Sequence, residues 1–185
     1  FRDLWAARHV DLRITGTCLD RRKVVVFGYH TTPDMPISLA VRISSTVPFL
    51  FTPVRHNDGM VYVDGGMLAN LPSGVFGKSD VRTITFVLDT DDCVLSTPIS
   101  ISNYASTLFW LLHEAANRTD DVRRQSDIRV TINTRGVGAF EFDVSDHKKM
   151  GLHARAFYAT KSALDTRGEG TRAVNIPEPS IGYVI

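Results

Sequence analysis

Tyr62-Val63-Asp64-Gly65-Gly66-Met67-Leu68-Ala69-Asn70-Leu71-Pro72 is the stretch on which the reading of this chain turns. The β-forming residues Met60 to Val63 run into an acid, and two glycines follow at once. Glycine lets a backbone turn sharply or approach another group closely. Pro72 is suited to the first position of a helix. An acid fixed between a strand end and such a turn is held by the main chain, as a catalytic carboxylate has to be. The same dipeptide also occurs six residues earlier, as Asn57-Asp58-Gly59 between Phe49–Val54 and Met60–Val63. There it reads as an ordinary hairpin turn. Asp-Gly alone therefore marks a bend, and the surroundings of Asp64 carry the argument.

Outward from that point, periodicity gives the elements. Phe1–His9 reads as a helix end. Asp11–Leu19 and Lys23–Tyr29 read as strands joined by Asp20-Arg21-Arg22, the second a continuous Val-Val-Val-Phe run expected to be buried on both faces. Ile37–Ser45 suits a short helix that stops at Thr46-Val47-Pro48, because the residue before a proline is pushed out of the helical region. Pro72–Phe76 should be a brief helix and Val81–Asp89 a central strand. A long helix is expected from about Ile101 to Arg124 and a strand over Ile128–Asn133. Ser145 should cap a last helix over Asp146–Leu164, with Met150, Ala154, Phe157 and Leu164 facing inward. Strands alternating with helices predict an α/β domain with a largely parallel sheet over residues 1–165. Residues 166–185, with Gly168-Glu169-Gly170, Pro177 and Pro179, read as a loose tail.

Composition narrows the class. With 185 residues, 43% hydrophobic and 22% charged, the chain has the make-up of a soluble globular domain. A net charge of +1 with no long block of either sign leaves no nucleic-acid footprint. Cys18 and Cys93 form neither a CxxC pair nor a disulfide framework, which points to a reducing, cytoplasmic setting. No apolar run reaches membrane-spanning length. The six histidines do not fall at ligand spacing, and His113-Glu114-Ala115-Ala116-Asn117 lacks the second histidine of a zinc-protease helix, so neither metal nor cofactor is expected. The first residues are not a signal peptide, and without an initiator Met the chain reads as cut from something longer.

A wider pattern surrounds the acid. Leu39-Ala40-Val41-Arg42-Ile43-Ser44-Ser45-Thr46-Val47-Pro48-Phe49-Leu50-Phe51-Thr52-Pro53-Val54 precedes the hairpin, and Tyr62-Val63-Asp64-Gly65-Gly66 with Asn70-Leu71-Pro72 follows it. In this order the elements resemble the patatin-like phospholipases, where a helix with a Ser-Ser pair and a proline leads to Asp-Gly-Gly or Asp-Gly-Ala, and Asn-x-Pro comes after. The resemblance covers most of the chain and implies a three-layer α/β/α fold, here incomplete on its N-terminal side.

The same resemblance implies an acyl-ester hydrolase with a Ser–Asp dyad, in which a serine hydroxyl attacks the ester and water cleaves the acyl-enzyme. Asp64 matches the acid. Gly65 and Gly66 would let the main chain present it, and Asn70 and Pro72 would fix the turn. A free carboxylate, with a pKa of about 3.9, is a poor base for an alcohol, so the site has to desolvate it and hold it in reach of the hydroxyl. No Gly-x-Ser-x-Gly elbow occurs between Phe1 and Ile185, and Ser44, Ser45 and Ser73 are the only serines near the motif. The expected partners are therefore a phospholipid or other acyl-ester lipid, peripheral contact with a membrane, and either the missing nucleophile-bearing segment or a second copy, since a sheet that lacks strands exposes an edge. The alternative is a catalytically inactive module that binds lipid or a protein. A third reading makes Asp64-Gly65-Gly66 a turn and nothing more.

Overall fold

A computed structural model describes residues 1–76, 83–89, 104, 128–138, 141–165 and 182–184. Its elements fall into two compact units. The first holds helix α1 (Arg2–Arg8), strands β1 (Asp11–Cys18) and β2 (Lys23–Gly28), helix α2 (Ile37–Ser44), strands β3 (Val54–Arg55) and β4 (Val61–Asp64), and, much later in sequence, a strand at Gly182–Val184. The second holds β5 (Ile84–Asp89), β6 (Ile128–Asn133) and α3 (Asp146–Asp165). The late strand Gly182–Val184 is β7. Both helices and sheets are present, as an α/β chain requires.

In the first unit the strand order is β2-β1-β4-β3, with β7 also paired to β1. The expectation of a largely parallel sheet does not hold here. β1 pairs antiparallel with β2 and with β4, and β3 with β4, and only β7 runs parallel to β1. The reason is local, because strands joined by turns as short as Asp20–Arg22 and Asn57–Gly59 have no room for the crossover that parallel neighbours need.

β1 is the spine of this unit, and Ile14, Thr15, Gly16, Thr17 and Cys18 are all buried along it. β2, read from its valines as buried on both faces, is so only at Phe27 and Gly28, and Val24 to Val26 are half-buried. α2 lies against β1 at Gly16, where an added Cβ would come within 2.8 Å of Ile43 Cγ2 and of the Phe27 ring. Ile14, Ile43, Phe27 and Ala40 form the core around that contact. Burying a side chain of this size contributes about 1.5–3 kcal/mol. The strand expected over Phe49–Val54 shrinks to Val54–Arg55, because Val47 accepts from both Leu50 and Phe51 and so makes a turn between Pro48 and Pro53.

In the second unit β5 pairs parallel with β6 in register from Ile84↔Ile128 to Asp89↔Asn133. Among the described residues β5 has no second neighbour, and Ile84, Phe86 and Leu88 are exposed, so the expected central strand is not central here. Ser145 Oγ accepts from the Lys148 N–H at the start of α3, as the cap reading required. Arg155 of that helix donates to the Asn133 carbonyl at 2.9 Å, tying α3 to the end of β6. The inward face expected on α3 is not buried: Met150, Phe157 and Leu164 are exposed. The helix expected over Ile101–Arg124 lies outside the described residues apart from Tyr104, which is helical.

Candidate active site

The site is assembled by the register of β1 against β4. Gly16 pairs with Asp64, so the next position along brings Gly65 opposite Thr15. At that point the chain leaves the strand, and a Cβ on Gly65 would lie 2.7 Å from the Thr15 carbonyl carbon. No side chain fits there, and glycine is required for space. Gly65–Met67 then forms a single 3-10 turn, closed by the Leu68 and Ala69 N–H groups donating to the Gly65 carbonyl.

Asp64 caps this turn. Its Oδ1 accepts from the Gly66 N–H at 2.8 Å, and its own N–H donates to the Thr46 carbonyl at 3.0 Å. The first bond satisfies one of the orphan donors of a helical start and fixes the side chain. The second ties the acid to the end of α2. Asp64 is half-buried. Gly65 leaves space for the Thr15 main chain, and Gly66 donates its N–H to the acid.

Asn70 lies on the same side of the turn. A Cβ placed on Gly66 would be 3.2 Å from both Asn70 Oδ1 and Asp64 Oδ1, so the two side-chain oxygens converge over that glycine. Asn70 is exposed and Pro72 half-buried. The Pro72 carbonyl accepts from Val75 N–H within the short 3-10 turn Ser73–Phe76, which replaces the brief α-helix expected there. Ser45 is committed elsewhere, donating its hydroxyl to the Val41 carbonyl at 2.8 Å.

Four residues that the pattern did not single out as site residues hold the motif in place. Gly16 admits α2, and Thr15 meets Gly65. Thr46 is buried, donates its hydroxyl to the Arg42 carbonyl at 2.7 Å, and offers its own carbonyl to Asp64. Arg13 secures the far end: it donates to the Val75 carbonyl, lies 4.6 Å from the Phe76 ring centre, and pairs with Asp11 at 2.7 Å. A cue was available for one of them, because a glycine inside a strand signals close approach of another element.

Residues 2–76 match the model of the family described as patatin-like phospholipase, and that stretch contains β1, α2, Asp64 and the turn after Pro72. Over this stretch the chain is similar to the patatin-like phospholipase family. The chain is similar to curated proteins as well. The chain is 40% identical over 47 residues to "Probable lipid hydrolase 463L" of Invertebrate iridescent virus 6, a match covering 25% of this chain and 16% of that protein. It is 35% identical over 98 residues to protein R571 of Acanthamoeba polyphaga mimivirus, covering 51% of this chain and 33% of the other. Protein YqhO of Bacillus subtilis (strain 168) is 30% identical over 132 residues, covering 67% and 45%. The chain therefore spans less than half the length of each of these relatives. The crystal structure of VipD from Legionella pneumophila aligns with a TM-score of 0.57 at 19% identity, over 84% of this chain and 31% of VipD, which supports the fold.

Proposed function

We propose that this chain carries the acid half of a lipid acyl hydrolase of the phospholipase A type, with Asp64 as the general base of a Ser–Asp dyad. The observation that carries the reading is the way Asp64 is held: half-buried at a strand end, Oδ1 on the Gly66 N–H, main chain on the Thr46 carbonyl, within the stretch that matches the family. The Asp64 carboxylate, steadied by the Gly66 N–H, is the group that would take the serine proton. The serine attacks the ester carbonyl carbon and its proton passes to the carboxylate. The leaving alcohol then takes that proton as its bond to the acyl carbon breaks. Water, deprotonated by the same carboxylate, attacks the acyl-enzyme, and the proton returns to the serine oxygen as the acyl–serine bond breaks and the fatty acid leaves. The nucleophile is supplied by a Gly-x-Ser-x-Gly elbow outside these 185 residues.

The test joins a Gly-x-Ser-x-Gly-bearing segment to this chain and follows fatty-acid release from a phospholipid. Asp64→Asn should lower the rate about a thousandfold, within the range removed with a general base. Full activity after that change would end the proposal. A second reading is a non-catalytic module binding lipid or a protein. It predicts lipid or partner binding that Asp64→Asn leaves untouched, with no ester release in the joined protein.

A further inference from the structure

We propose that β7 is a placeholder on β1, holding the seat of the nucleophile-bearing strand until that strand displaces it. Arg13 of β1 pairs with Gly28 of β2 and also with Val184 of β7. A strand residue has one neighbour on each side, so β7 lies on the side of β1 away from β2. β4 lies on that side too, because Gly16, Thr17 and Cys18 pair with β2 and with β4 at once. β7 and β4 therefore share one row along β1. β7 lies against Asp11–Arg13 and β4 against Gly16–Cys18, with Ile14 and Thr15 between them.

Register fixes what a strand in this seat can do. Running parallel to β1, as β7 does, it reaches the position opposite Ile14 and then meets Asp64 and Gly65 in the same row. It has to turn away sharply there, and a sharp turn at a strand end is how a Gly-x-Ser-x-Gly elbow presents its serine. Side chains alternate between faces, so a residue opposite Ile14 shares a face with Gly16 and with Asp64, the partner of Gly16. Two steps of about 3.3 Å separate it from Asp64 along the row, close enough for a serine hydroxyl to reach the carboxylate.

The present occupant fits the seat incompletely. Asp11, at the start of the seat, is paired with Gly182, which has no side chain to offer. Asp11 Oδ2 is held by Arg13 at 2.7 Å, but the buried Oδ1 has no hydrogen-bond partner among the described residues. A buried acceptor left without a donor is a cost that a donor side chain on another strand would remove. A source for such a strand exists in the relatives, because this chain spans less than half the length of each.

Because the seat takes its occupant from the reading of Asp64 as half of a dyad, the test follows backbone protection and leaves ester chemistry aside. Hydrogen exchange is compared between the chain alone and the protein joined to a Gly-x-Ser-x-Gly-bearing segment. Joining should make the amides of Gly182–Val184 exchange about tenfold faster, while those of Asp11–Arg13 stay protected. Tyr183→Pro with Val184→Pro removes whichever of these N–H groups points at β1. In the chain alone this variant should exchange about tenfold faster than the parent at Asp11–Arg13. In the joined protein, variant and parent should be equally protected there. Protection of Gly182–Val184 unchanged by joining, or Asp11–Arg13 exposed by the variant in the joined protein too, would overturn the proposal. So would protection of Asp11–Arg13 that rises with protein concentration in the chain alone, which would seat a second copy there. Release of β7 on joining without fatty-acid release would keep the seat and remove the hydrolase reading, and fatty-acid release with β7 still protected would do the reverse.

Discussion

Two Asp-Gly pairs six residues apart do different work in this molecule, Asp58-Gly59 at a hairpin tip and Asp64-Gly65 at a strand end. Gly59 has φ +78, and nothing lies within 4 Å of where its Cβ would be. It is glycine for the sake of backbone angle. Gly65 has no such angle, but its missing Cβ leaves room for the Thr15 main chain. It is glycine for the sake of space. The acids divide in the same way. Asp58 is exposed, and its oxygens receive the Met60 N–H and the Tyr62 hydroxyl, so it closes a turn. Asp64 is half-buried and tied to two further pieces of backbone. An identical dipeptide is a hinge in one place and a mount for a carboxylate in the other.

The sharpest way to break this contrast is through activity. In the joined protein Asp64→Asn should cost about a thousandfold in turnover, whereas Asp58→Asn should leave turnover near that of the parent, as read by fatty-acid release. Equal losses would erase the distinction. The glycines come next. Gly65→Ala should destabilise by about 3 kcal/mol, since the clash is with main chain that cannot move aside, measured as a drop in the denaturation midpoint. Gly59→Ala should cost about 1 kcal/mol, the penalty of a left-handed angle with open space around it. If Gly59→Ala proved the more damaging, the division into angle and space would be wrong.

The smallest expected effect concerns the tip itself. The Tyr62 hydroxyl donates to Asp58 at 2.6 Å and, with smaller help from the Met60 N–H, holds that carboxyl below its ordinary pKa, while burial and Asp58 push the Tyr62 hydroxyl upward. Tyr62→Phe should therefore cost under about 1 kcal/mol, because the acid faces water. A depressed carboxyl stabilises the fold above its unfolded value. The difference between parent and variant should be full above about pH 5 and fade as the pH falls below about 4. A difference that grew in acid would contradict the assignment.

Much of this was legible in the order of residues. β-formers before Asp64, glycines after it and the proline-ended α2 before it are short-range facts, and they located the acid, the turn and the strands β1, β2, β4 and β6 to within a residue or so. Helix α3 and its Ser145 cap were legible for the same reason. The misreadings share a cause. Strand direction, the exposure of Met150 and Phe157, and the shortening of the Phe49–Val54 strand all depend on what lies opposite, and periodicity reports only that a face is apolar.

Sequence by itself therefore determined where the chain bends and which acid the bend presents, because turn chemistry and capping are set by residues a few positions apart. Only the tertiary structure decided that Gly16 would meet Asp64, that Thr15 would exclude any side chain at Gly65, and that Thr46 would lend its carbonyl to the acid. Those contacts join residues 15–16, 46 and 64–65, and the energy that selects them, burial of Ile14 and Ile43 around one strand, exists only once the pieces have come together.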